Sequence, residues 1–255
     1  MQENPIDAIA TATAALVQAR QTHQTAAAVL LPDAAAAYAV QDGVARACGW
    51  LDGDAPTHWK SGAPSRTAVQ THAALPPAGI WFSPADARGW PFHLRGIEAE
   101  IALRLGRDVD AVLAAGLDVA GASALVDAMC VAIEIVDSRW TEVLDAPALA
   151  KLADLQSHGA LVLGAWTPFT PRDWSAQVCR VAIGAAPATE HKGTHPMADP
   201  AQVLPAWLRH ATRGNRRLPA GSVVTTGTWC GLPRAAAGDC VRVEFPGIGN
   251  AVVQF

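Results

Sequence analysis

The chain has 255 residues, 51% of them apolar and 16% charged, with a formal net charge of −4. That length and composition can bury one large core, or a main domain with a small appendage. The mildly acidic balance and the lack of a long Lys/Arg cluster exclude nucleic acid and an anionic membrane surface from the expected partners. Residues 5–50 are Ala-rich and helical in character. Asn4 is placed to cap a first helix with Pro5 at its first position, where the lost N–H costs nothing. Ala8, Ile9, Ala12, Ala15, Leu16 and Ala19 then keep a helical spacing. A second helix is predicted from Pro32-Asp33 through Tyr38, Val40, Val44 and Ala47, with Gly49 as its stop. No basic stretch leads into an apolar run near Met1, so no signal peptide is expected.

From Trp50 onward short apolar runs alternate with Gly, Pro, Asp and Ser, a pattern of strands and turns. Ile97–Leu103 is the first clear strand. Residues 110–117 and 123–129 are expected as short helices or turns. Residues 130–136 form a nearly continuous apolar run broken by Glu134, as in a strand buried on both faces. Further strands are predicted at 159–164, 178–183, 222–226, 240–245 and 251–255. A helix is predicted at 204–213 and a loop at 185–203. The most apolar long window, 109–136, is interrupted by Asp110, Asp118, Asp127 and Glu134, so no transmembrane helix is expected. Cys48, Cys130, Cys179, Cys230 and Cys240 include no Cys-x-x-Cys pair and read as free thiols in a reducing compartment, most simply the cytoplasm.

The chemistry concentrates in three carboxylates. On a strand, Glu98 and Glu100 share one face, about 6.5–7 Å apart at the backbone, while Ile97, Ala99, Ile101 and Leu103 share the other. Taken alone this is a half-exposed strand with a charged outer face. Glu134 is different, because a carboxylate inside an apolar strand needs a partner. Either an arginine such as Arg104 or Arg139 neutralises it, or a hard divalent cation is shared by Glu98, Glu100 and Glu134. Three carboxylates without Cys or His suit Mg²⁺ or Mn²⁺.

Several segments, in order, resemble the fumarylacetoacetate hydrolase superfamily, in its 2-keto-4-pentenoate hydratase / 4-oxalocrotonate decarboxylase branch. They are Ala37-Tyr38-Ala39-Val40-Gln41, Trp59-Lys60-Ser61-Gly62, Ile97-Glu98-Ala99-Glu100-Ile101-Ala102, and Ala132-Ile133-Glu134-Ile135-Val136-Asp137-Ser138-Arg139. Downstream, Leu152-Ala153-Asp154-Leu155-Gln156-Ser157-His158-Gly159 and residues 218–228 complete the series. The resemblance implies an α+β fold: a mixed β-sandwich or roll (56–255) preceded by a small helical region (1–55). It implies one Mg²⁺ or Mn²⁺ on Glu98, Glu100 and Glu134, a small 2-oxo acid substrate, a metal-stabilised enolate and a homo-oligomer. Lys60, in what reads as an apolar loop, is then the candidate for proton transfer or for holding the developing enolate, its pKa expected to be lowered. Otherwise it is a surface lysine. Asp154 either orients the metal-bound water or Lys60, or caps a turn. Gly227 and Thr228 offer an N–H and a hydroxyl to a substrate carboxylate, and His191 and His195 read as surface histidines.

Hydratases of the branch usually carry an acid just before the glycine that aligns with Gly79, where this chain has Ala78. Leu155 and Gln156 stand where an Asn-Ala pair is usual, and the gap from Glu100 to Glu134 is stretched by a few residues. Hydrolytic relatives need a His-x-x-Glu dyad after the lysine segment. Here His72 is followed by Leu75 at that spacing, which disfavours C–C hydrolysis. The expected activity is hydration of a 2-oxo-enoate. The alternatives are a 4-oxalocrotonate-type decarboxylase, a non-catalytic metal and 2-oxo-acid binder, or a partner subunit.

Overall fold

The computed structural model of the chain describes residues 5–50 and 55–255, so the expected Asn4 cap lies outside the described residues. Helices α1 (Pro5–Thr22) and α2 (Ala34–Ala47) form where the spacing predicts. The Asp33 carboxylate accepts from the Ala36 N–H at 2.8 Å, satisfying a donor that the start of α2 leaves free. Gly49, at φ 66°, ends the helix in the left-handed conformation that glycine adopts without steric cost. Strands β1 (His58–Gly62), β2 (Thr71–Ala74), β3 (Ile80–Phe82) and β4 (Ala85–Asp86) follow. After β5 (Gly96–Leu105) come two one-turn helices, α3 (Ala111–Ala115) and α4 (Val119–Ser123), capped by Asp110 and Asp118.

The chain continues through β6 (Val126–Val136), α5 (Ala148–Ala153), β7 (His158–Leu163), β8 (Thr167–Pro168), β9 (Val178–Ile183) and β10 (Thr189–Lys192). It closes with α6 (Leu204–Ala211), β11 (Val223–Thr225), β12 (Cys240–Phe245) and β13 (Gly249–Gln254). One mixed sheet runs β2-β1-β11-β5-β6-β7-β3, with β8 also paired to β6, and curls into a half-barrel. A second runs β10-β9-β12-β13-β4. Strands β12 and β13 pack across β6 and β7, burying Ile133, Val162, Val243, Ala251 and Val253 in the main core. The helical region has its own apolar cluster, in which Leu16, Val40 and Val44 meet Trp140, Ala150 and Leu152 from the α5 segment. Among the described residues no helix is long and apolar enough to cross a membrane.

Three local expectations change. The Lys60 segment is a strand rather than a loop. Trp59 and Ser61 are buried while Lys60 points to the other face, an alternation too short and too polar to register as a strand. Residues 126–129 extend β6 instead of forming a helix, because pairing with β5 continues to Leu105–Val126. The stretch 185–203 contains β10, a polar edge strand on β9.

Candidate metal centre and active site

Strands β5 and β6 run antiparallel in a register that sets Glu98 opposite Glu134 and Glu100 opposite Ala132. The three carboxylates therefore share one face, and their oxygens lie within 4.8 Å of one another. The apolar face of β5 enters the core as expected, with Ile97, Ala99 and Ile101 fully buried. The glutamate face is largely covered too, with Glu100 and Glu134 buried and Glu98 half-buried. Like charges set directly opposite on neighbouring strands destabilise a sheet, so this arrangement needs a compensating cation.

Part of the compensation is Lys60, brought to the same face by β1 through β11. Its Nζ donates to Glu134 Oε1 at 2.5 Å and to the Gln156 carbonyl at 3.3 Å. The arginine partners considered for Glu134 are engaged elsewhere: Arg104 with Asp127, Arg139 with Asp154. Burial works to lower the Lys60 pKa, but Glu134, Glu98 and Glu100 outweigh it and hold the ammonium above its ordinary value. This reverses the lowered pKa expected from the sequence. Burial also dominates at Glu98 and Glu100, pushing them up to about 8 and about 7 despite the attraction of Lys60. At Glu134 the upward push of burial loses to Lys60 and His158, and the carboxyl is held low.

His158 is a site residue that the sequence pattern does not single out. It is fully buried at the start of β7, and its Nδ1 lies 3.0 Å from Glu134 Oε1. Burial lowers its pKa, so the neutral ring donates Nδ1–H to Glu134. The available signal was a histidine opening the apolar run Gly159-Ala160-Leu161-Val162-Leu163 beside the strand of Glu134. Gly159 lets β7 approach, since a Cβ there would stand 2.7 Å from the Ile135 carbonyl oxygen.

Glu134 thus spends Oε1 on Lys60 and His158, while its buried Oε2 has no hydrogen-bond partner. Glu100 is fixed by the Gly227 N–H, which donates to its Oε2 at 2.8 Å. An unpartnered buried carboxylate oxygen beside two further carboxylates fits a hard divalent cation in its donor chemistry. Glu98, Glu100 and Glu134 are the residues that could hold it.

The cluster opens into a cavity of about 770 Å³ whose lining includes Lys60, Lys151, Gln156, Thr228 and Trp229. Gly227 and Thr228 are both at its wall, but the Gly227 N–H is used on Glu100, and the Thr228 hydroxyl donates to the Gly231 carbonyl at 2.9 Å. Asp154 is outside the lining. Its Oδ1 accepts from Arg20 at 3.0 Å and Arg139 Nε at 2.8 Å, and its Oδ2 from the Arg139 N–H at 2.9 Å. It closes α5, and the next residues, Leu155, Gln156 and Ser157, all adopt positive φ of 55–57°. That left-handed turn aims the Gln156 carbonyl at Lys60. His191 lines the cavity, but His195 is buried, not at the surface as expected from the sequence; its Nε2 lies 2.9 Å from the Thr226 carbonyl oxygen and burial pushes it down to about 4. Ala78, where an acid is usual in the branch, is exposed and outside the lining. His72 is buried behind the sheet, 2.9 Å from Ser61 Oγ through Nδ1.

Residues 65–255 match the family model for the fumarylacetoacetate (FAA) hydrolase C-terminal region. A 2-keto-4-pentenoate hydratase of Paraburkholderia xenovorans is 28% identical over 166 residues, covering 64% of this chain and 60% of that protein. A 2-hydroxyhexa-2,4-dienoate hydratase of Comamonas testosteroni is 33% identical over 165 residues, covering 62% and 59%. The chain thus spans about 60% of the length of the curated relatives it matches. In fold, 4-oxalocrotonate decarboxylase from Pseudomonas putida G7, solved with magnesium and adipate, superposes over 100% of this chain and 99% of its own, with a TM-score of 0.83 at 18% identity. The chain belongs to the fumarylacetoacetate hydrolase superfamily, in its 2-keto-4-pentenoate hydratase / 4-oxalocrotonate decarboxylase branch.

Proposed function

We propose that the chain is a metal-dependent lyase that adds water to a 2-oxo-enoate presented as its 2-hydroxydienoate tautomer. One observation carries this reading: three carboxylates converge on one sheet face with a free buried oxygen, beside a protonated lysine, on a cavity large enough for a small organic acid. A Mg²⁺ or Mn²⁺ ion held by Glu98, Glu100 and Glu134 would supply Lewis-acid polarisation of the substrate's 2-oxo and carboxylate oxygens.

The remaining steps fall to the chain's own groups. Lys60 Nζ, held protonated, serves as the acid that delivers a proton to the dienol carbon chain and as a charged donor to the developing enolate. This is an acid's role, not that of the near-neutral base which a lowered pKa would give. His158 and Lys60 together fix Glu134 Oε1 and leave Oε2 unpartnered. Gly227 orients Glu100, and the Thr228 hydroxyl at the wall would donate to the substrate carboxylate only on giving up the Gly231 carbonyl. Asp154 acts at one remove, holding the turn that presents the Gln156 carbonyl to Lys60.

The test is incubation of Mg²⁺-loaded protein with 2-hydroxypenta-2,4-dienoate and with 2-oxohex-3-enedioate, following the conjugated chromophore and CO₂ separately, with Glu134→Gln as control. Metal-dependent loss of the chromophore without CO₂ is expected. Release of CO₂ would assign decarboxylation instead, and no turnover of either compound would rule against lyase action on these acids.

A further inference from the structure

Two of the chain's three lysines line the same cavity. Lys60 is committed to Glu134. Lys151 is not committed to any acid. It stands half-buried in the last turn of α5, and its Nζ donates at 2.8 Å to the Leu144 carbonyl, a neutral group. Among the described residues no carboxylate forms an ion pair with it.

The carbonyl that holds Lys151 follows Val143, a β-branched residue at φ 53°, where such side chains are rarely found. On the other side, the Lys151 carbonyl accepts from the Gln156 N–H at 2.8 Å, and the Gln156 side-chain amide donates to Thr71 Oγ1 at 2.5 Å. Lys151, Gln156 and Thr71 thus form a polar wall that Gln156 joins to Lys60, in a lining that also includes apolar Val136, Leu144, Pro196 and Leu232.

The placing of charge points the same way. Lys60 and a divalent cation face the three carboxylates and the substrate's own 2-oxo-acid end, while Lys151 is a lining cation with no carboxylate of the chain against it. A partly buried cation without a counter-ion is favourable mainly when a ligand supplies one.

We propose that Lys151 reads the far end of the substrate, so that the cavity selects 2-oxo acids whose tail carries a second carboxylate. The inference rests on the 2-oxo acid reading above. It also bears on the reaction. An ammonium paired with the tail carboxylate stabilises the charge that loss of CO₂ would remove, so the contact favours keeping that group while water adds elsewhere.

The experiment is calorimetric titration of the Mg²⁺-loaded protein with saturated analogues that cannot be hydrated. 2-Oxoadipate and 2-oxopimelate, with a tail carboxylate, are compared with 2-oxohexanoate, without one. At least one dicarboxylate is expected to bind about tenfold or more tightly than 2-oxohexanoate, the range of a charge-assisted hydrogen bond. Lys151→Met should bring dicarboxylate affinity to within about twofold of its own 2-oxohexanoate affinity, and Lys151→Arg should keep most of the preference, each variant being checked for a wild-type thermal midpoint. Binding of 2-oxohexanoate with no dicarboxylate preference in the wild type overturns the role of Lys151 alone. So does a preference that survives in Lys151→Met. Failure of every 2-oxo acid to bind overturns the functional reading and this proposal with it.

Discussion

Two buried charge clusters lie close together in this molecule and are built on opposite principles. At Asp154 both carboxylate oxygens are occupied by donors of Arg20 and Arg139 at 2.8–3.0 Å, and the cluster joins α1 to the end of α5. At Glu134 one oxygen is saturated by Lys60 and His158, the other has no partner, and two more carboxylates stand within 4.8 Å. In the first cluster both carboxylate oxygens are satisfied within the chain, although Arg20 Nε has no partner, and Asp154 sits outside the cavity. The second leaves a buried carboxylate oxygen unpartnered, beside Glu98 and Glu100, which line the cavity. Buried charge alone therefore does not mark a functional site. An unfilled coordination around buried charge does.

The largest break in that comparison comes from Glu134→Gln. It removes the charge that anchors Lys60 and offers the cation a neutral amide in place of a carboxylate. Turnover of a dienol substrate should fall by roughly a thousandfold or more, the scale of losing Lewis-acid stabilisation of several kcal/mol, and Mg²⁺ should no longer be detected by calorimetric titration. Retention of Mg²⁺ binding by this variant would remove Glu134 from the metal site.

Asp154→Asn inverts the pattern. Arg20 would lose its carboxylate partner and Arg139 would keep only Asp137, at 3.8 Å, and Arg20 is already strained in this respect, burial having lowered its pKa to about 10 against the pull of Asp154. The loss should be about 3–5 kcal/mol in urea unfolding, with the Mg²⁺ affinity of the folded protein near that of wild type. If Asp154→Asn unfolds at the wild-type midpoint but fails to bind Mg²⁺, the division between the two clusters is wrong.

The legibility of the two clusters in the sequence is unequal. Glu134 stands out because a carboxylate interrupts an apolar run, and it draws in Glu98 and Glu100, which by strand periodicity alone read as an ordinary charged outer face. The sheet that gathers them is also readable in outline, since β5, β6, β7, β9, β12 and β13 all have apolar alternation or continuous apolar runs. What cannot be read is which distant groups meet them. Register between β1, β11 and β5 sets the place of Lys60, and nothing near Lys60 in sequence reports that pairing. His158 and the Gly227 N–H act through β7–β6 pairing and a turn at φ 115°, both products of tertiary structure. The same holds for Asp154, whose Arg20 partner is 134 residues away.

A smaller effect should appear in the stability of the metal-free protein. Glu98, pushed up to about 8, and Glu100, to about 7, bind protons more tightly in the folded chain than at the ordinary value of 4.5. Their contribution is therefore fully present below pH 4.5 and is lost as the pH rises through 7 to 8. The thermal midpoint without metal should fall between pH 5 and pH 8 on this account. Saturating Mg²⁺ should raise the midpoint more at the upper end of that window than at the lower, because the ion displaces those protons. A Mg²⁺ increment that does not change with pH would place the protons elsewhere. The Asp154 cluster supplies the contrast: Asp154→Asn should lower the midpoint while leaving this Mg²⁺ and pH dependence in place.

Gly227→Ala is the finest of these tests, since it changes one methyl group. At φ 115° an L side chain is strained whatever space it has, and the new Cβ would lie 3.4 Å from Pro196 Cγ, an ordinary contact. The cost is therefore conformational, about 1–2 kcal/mol, and the backbone can relieve it by rotating the 227 amide. That amide is the donor to Glu100 Oε2, so relief of the strain would release one of the three carboxylates. Stability should fall slightly in urea unfolding and Mg²⁺ affinity should fall about tenfold, as for loss of a hydrogen bond that orients a metal ligand. An equal loss of stability with unchanged Mg²⁺ affinity would mean that Glu100 is held by its strand alone.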